Sequence, residues 1–140
     1  MKRIFISLAI CLIMFSGCNG SISDEIEIKE KLFVAQTNDI YNNYKQYLGK
    51  TIKYEGIFVV YDAPNGQTYY SVIRYGPGCC GFDYNPGFEV IWDNDYPVQN
   101  DWVEVVGTLE EYKEAENTYL HIVLTSLTVL TTRGAEYVSQ

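Results

Sequence analysis

The chain has 140 residues, of which 10 are basic and 18 acidic, for a net charge of −8, and 47% are hydrophobic. That balance excludes nucleic acid as a partner, because phosphate binding needs Lys and Arg to displace counterions. The length suits one domain, with enough apolar residues to bury a real core.

The amino terminus has the layout of a signal peptide: Lys2 and Arg3, then an apolar run from Ile4 to Phe15, then Ser16-Gly17-Cys18. Twelve helical residues reach roughly 18 Å, short of the roughly 30 Å that a spanning helix must cross. Ser16-Gly17 directly before a cysteine resembles the lipobox of bacterial lipoproteins, although Phe15 stands where Leu is usual. On this reading residues 1–17 are removed, and Cys18 becomes the new N-terminus and carries a diacylglyceryl group with two acyl chains such as palmitate. Residues 18–24 then form a lipidated spacer, and 25–140 form the domain. Two acyl chains hold a protein stably where one does not. Loss of Lys2 and Arg3 leaves 8 basic residues against 18 acidic ones, or −10.

Beyond the spacer, Ile26 and Ile28 alternate with Glu25, Glu27 and Lys29, and the apolar pattern runs on into Leu32-Phe33-Val34, which predicts an opening strand. Ile40, Tyr41, Tyr44, Tyr47 and Leu48 recur at helical spacing, with Thr37, Asn38 or Asp39 as the N-cap and Gly49 as the stop. From Lys50 the pattern predicts five strands, at 51–61, 67–75, 87–92, 102–112 and 118–130. Asp62 to Gly66 and Glu114 to Asn117 read as hairpin turns. Gly76 to Gly81 interrupts the alternation, while Gly56 and Gly107 sit inside strands where they permit bends or close backbone approach. The expected fold is mainly β: a five-stranded OB-like barrel preceded by one strand and one short α-helix. Closure would remove exposed edges. A β-sandwich is the alternative.

Three stretches carry a family resemblance: Gly49-Lys50-Thr51-Ile52 ahead of Gly56, the run from Arg74 to Asp83, and Asp101 to Gly107. Over roughly residues 47–130 they resemble the C-terminal domain of the partner subunit of bacterial two-component permeases, shared with small Gram-positive lipoproteins. The resemblance implies an OB-like fold and an envelope location. It implies no particular reaction, and the membrane-spanning helices of the permease partner are absent from this sequence.

Cys79 and Cys80 are the most informative pair, because Cys11 leaves with the signal and Cys18 is alkylated. A disulfide between them is strained, since adjacent Cα atoms lie about 3.8 Å apart against the usual 4.4 to 6.8 Å. Strain suits a reducible switch. Alternatively, the thiolates coordinate zinc or copper, with Asp83 close in sequence and His121 or Glu89 approaching from neighbouring strands. The third alternative is a pair of small core residues. His121, the lone histidine, reads first as a structural residue opposite the Leu120, Ile122, Leu124 face. Asp93-Asn94-Asp95 with Asp101 offers oxygen ligands to calcium but reads first as a solvated turn, lacking the spacing of an EF-hand loop. The tyrosines, Trp92 and Trp102 either line a ligand groove or fill the core and its rim.

Catalytic motifs such as Gly-x-Ser-x-Gly or His-Glu-x-x-His are absent, so enzymatic activity is the lesser expectation. The expected function is a lipid-anchored binding or accessory module of the cell envelope, metal- or transport-associated, on the outer side of the cell membrane. Its partners would be the membrane, through the anchor, and an envelope protein or transporter. The competing readings are a thiol redox protein using a vicinal disulfide and a purely structural interaction module.

Overall fold

Alternation in the longest apolar-polar runs sets the sheet. The computed structural model describes residues 24–77 and 83–139. Its strands are β1 (Glu25–Glu27), β2 (Thr51–Asp62), β3 (Thr68–Ile73), β4 (Gly76–Pro77), β5 (Asp83–Tyr84), β6 (Gly87–Ile91), β7 (Trp102–Glu114) and β8 (Asn117–Val129). Helix α1 (Phe33–Asn42) lies between β1 and β2, flanked by 3₁₀ turns at Glu30–Leu32 and Tyr44–Gln46. Ile52, Tyr54 and Phe58 of β2 face inward with Val72, Phe88, Val90, Val103, Val105, Leu109, Ile122 and Leu124. Phe33 and Ile40 of α1 pack into the same core.

The main sheet is mixed and six-stranded, in the order β1-β2-β3-β6-β8-β7, and β7 pairs with β2 as well. β6 and β8 run parallel, with Glu89 opposite His121, and β1 is parallel to β2. The long β7–β8 hairpin shifts register between Val106 and Gly107. A Cβ at Gly107 would stand 2.4 Å from the Val123 carbonyl oxygen, so the glycine is what lets the strands close on each other there. Gly56 has the same role against β3, where a Cβ would come 2.7 Å from the Ile73 oxygen.

Three expectations need correction. The opening strand stops at Glu27, and Leu32-Phe33-Val34 belongs to the 3₁₀ turn and the start of α1. Phe33 is fully buried because it seats the first helical turn on Tyr54, at 5.7 Å between ring centroids, and a single apolar triplet does not distinguish that from a strand. Consequently α1 starts four residues before Thr37, whose buried hydroxyl caps nothing and donates back to the Phe33 carbonyl inside the helix. The expected second strand, 67–75, ends as β3 at Ile73, and the chain continues into the separate two-stranded β4–β5 sheet. Gly49 does end the helical region, with φ +78°.

Candidate functional site

The interruption seen in the sequence at Gly76 is a hairpin. Gly76 pairs with Tyr84 and Pro77 with Asp83, so that residues 78–82 connect two strands held side by side. Cys79 and Cys80 fall in that connection and lie outside the described residues; Cys18, near the amino terminus, also lies outside them. The hairpin's base is fixed on several sides. Arg74 N–H donates to the Pro86 carbonyl at 2.9 Å, and Tyr75 exchanges backbone bonds with Glu136 and Val138 at 2.8 and 2.7 Å. The Tyr84 hydroxyl donates to Asn38 of α1 at 3.1 Å.

Arg74 itself is buried at 2% exposure. Its guanidinium lies 4.8 Å from the ring centroids of both Phe33 and Trp102, and it donates to the carbonyls of Glu55 and Ala135 and to the Glu30 carboxylate. Such a charge is costly to bury unless it is hydrogen-bonded, and here Nε and Nη1 both are. Glu30 also accepts from the Ala135 N–H at 2.9 Å; that bond first, and the Arg74 bond second, hold its carboxyl below the ordinary value. Trp102 completes the cluster, donating from Nε1 to Glu55 at 3.1 Å and stacking under Arg133. In the sequence Arg74 stands out only as part of the family-like run from Arg74 to Asp83. Its available signal was position: an arginine closing an apolar-polar strand immediately before Tyr-Gly-Pro.

The remaining sequence candidates lie elsewhere. Asp83 is in the small β4–β5 sheet, while His121 sits on β8 of the main sheet, so the two share no strand pairing. His121 is half-buried between neighbours: its ring stacks on Tyr112 at 4.9 Å, and Nε2 is 3.9 Å from Glu110 Oε2. Glu89 lies directly across from it and accepts the Tyr112 hydroxyl at 2.6 Å. In the Asp93 loop, Asp93, Asn94 and Asp95 are exposed, and the Asp101 carboxylate accepts the Val98 N–H, as a turn requires. Among the described residues no three His, Cys, Asp or Glu side chains gather closely enough to hold a metal ion. Also among them, no helix is long and apolar enough to cross a membrane.

The tyrosines divide. Tyr54 is core, donating to the Val72 carbonyl, and Tyr70 and Tyr96 stack 3.8 Å apart beside Phe58. Tyr41, Tyr61 and Tyr119 remain exposed.

One family model, the DUF1980 C-terminal domain, matches residues 18–140. No curated protein matches the chain.

Proposed function

We propose, from the premise that the chain belongs to the DUF1980 C-terminal domain family, that it is a lipid-anchored binding or accessory module of the cell envelope whose working edge is the β4–β5 hairpin. The observation that carries this is the hairpin's base. A buried guanidinium, an aromatic pair and the C-terminal segment all meet at Arg74 and Tyr75, directly before the β4–β5 hairpin, whose connection in the sequence contains two adjacent thiols. Rigid support beside a short loop is how binding residues are commonly presented. The thiols offer ligands for zinc or copper, and the resemblance to a permease partner subunit favours an envelope transporter as the protein's neighbour.

An OB-like barrel is the fold this reading rests on. Its support is the closed cycle of pairings, β2 to β3 to β6 to β8 to β7 and back to β2, which leaves none of the five strands with a free side along its whole length. A β-sandwich has no need of the β2–β7 ladder from Thr51–Thr108 to Ile57–Trp102.

Two measurements test the function. Native and denaturing mass spectra of the full-length protein from an oxidising compartment, with and without reductant, read the thiols directly. Bound zinc or copper adds its mass only under native conditions, and Cys79→Ser with Cys80→Ser abolishes it. Two free thiols with no ion at any metal concentration tested overturn the metal-binding form. For the anchor, Cys18→Ala moves the protein from the membrane fraction to the medium; unchanged retention refutes the tether.

A further inference from the structure

A groove of about 350 Å³ runs between the end of α1 and the start of β8, lined by Tyr41, Tyr44, Glu89, Thr118, Tyr119 and Leu120. Three features of its chemistry coincide. Its walls are aromatic: Tyr41 is anchored by its hydroxyl to the Gly87 carbonyl at 2.8 Å and backed by Phe88 at 5.0 Å, yet it stays 40% exposed. Tyr119, 43% exposed, is backed in turn by Tyr112 at 5.5 Å, and Tyr112 by His121. Both rings are thus held by a stacked neighbour on one side. The carboxylate of Glu89 contributes the negative charge, and among the described residues no Lys or Arg lines the groove. None of the ion pairs among the described residues involves Glu89, whose hydrogen bond comes from the neutral Tyr112 hydroxyl. Finally, the chain as a whole is acidic.

We infer that this groove binds a small organic ammonium, its alkyl groups against the faces of Tyr41, Tyr44 and Tyr119 and its charge beside Glu89. Aromatic rings attract such cations through their quadrupoles, the more so when water is displaced, and a carboxylate at the same site adds full charge complementarity. An anion is repelled by Glu89. A divalent metal finds one carboxylate where it needs several oxygen ligands. The ammonium is carried equally by a free quaternary amine and by a lipid headgroup. None of these lining residues belongs to β4 or β5, and the inference goes beyond the function proposed above.

Calorimetric titration of the full-length protein in detergent with choline tests this, with 3,3-dimethylbutan-1-ol as the uncharged isostere. Choline binds saturably at one site with a dissociation constant of about 1 mM or below, and the isostere at least about tenfold more weakly. Glu89→Gln, which keeps an acceptor for Tyr112, reduces choline affinity about tenfold; Tyr119→Leu weakens it, and Tyr119→Phe does not. Circular dichroism and thermal melting of each variant separate lost binding from lost fold. Tighter binding of glycerophosphocholine than of choline assigns the source to a lipid headgroup, and the reverse to a soluble amine. The double Cys79→Ser, Cys80→Ser variant binds choline unchanged, so this test and that of the hairpin fail independently. Equal binding of choline and the isostere, indifference to Glu89→Gln, or no saturable signal up to about 50 mM overturns the inference.

Discussion

At the scale of single residues, Arg74 is the most consequential side chain. It sits between Phe33 and Trp102 and satisfies carbonyls from two distant segments, so replacing it removes packing and leaves the Glu55 and Ala135 carbonyls short of a donor. Arg74→Met is expected to cost about 3 kcal/mol in urea denaturation, near the lower end for breaking a buried charge contact because Glu30 can rehydrate. Glu30→Gln separates the electrostatic part. The Glu30 carboxyl is held below its ordinary value of 4.5, chiefly by the Ala135 N–H and then by Arg74. A depressed carboxyl contributes stability above its unfolded pKa and loses it as pH falls through the folded one. The wild type therefore loses stability below about pH 4.5 more steeply than Glu30→Gln, and thermal melts across pH 3 to 7 read the difference. Lysine at position 74 is no substitute, since one ammonium cannot reproduce the planar fork that reaches Glu55, Glu30 and Ala135 together.

At the scale of elements, glycines set where strands approach and where the chain turns. Gly87 opens β6 at φ +151°, and a Cβ there would lie 2.1 Å from the Val72 carbonyl oxygen. The three nearest atoms are all backbone of Val72 and Ile73, which cannot swing aside as a side chain can, so Gly87→Ala is expected to destabilise by about 3 kcal/mol in chemical denaturation. Gly66, in the β2–β3 turn, has φ +84° with open space around it, and Gly66→Ala costs only about 1 kcal/mol. The contrast tests crowding against backbone conformation. The sequence pointed to these positions as turn or in-strand glycines, but which neighbour each one meets depends on register, which follows from the whole sheet. The same limit explains β4 and β5. Two residues per strand leave no periodicity to detect, so Gly76 and Pro77 read in the sequence as a break although they pair with Tyr84 and Asp83.

At the scale of the whole molecule, the C-terminal segment ties the cysteine hairpin to the sheet. Ala135 holds both Arg74 and Glu30, Glu136 and Val138 bracket Tyr75, and Val138 is buried at 5% exposure. Deletion of residues 135–140 is therefore expected to lower the melting temperature and to speed amide exchange at Tyr75 and Gly76 while the β7–β8 hairpin keeps its protection. Uniform loss of protection across the sheet would show instead that the segment belongs to the global folding unit. Nothing in the last ten residues marks them for this role in the sequence: they are mostly polar, turn-like and aperiodic, and the segments that Ala135 and Val138 hold are more than sixty positions away.

The sequence by itself determined the mainly β character, the five strands after the helix to within a few residues at each end, the turns between them and the net negative charge. Those follow from local alternation, turn residues and charge, which need no knowledge of the fold. Tertiary structure decided the rest. It gave Phe33 to a helix and Arg74 to an aromatic sandwich, placed His121 across from Glu89 and apart from Asp83, and gathered Tyr41, Tyr44 and Tyr119 around a carboxylate. Each of these joins segments remote in sequence, and only the pairing register and the packing of α1 on the sheet bring them together.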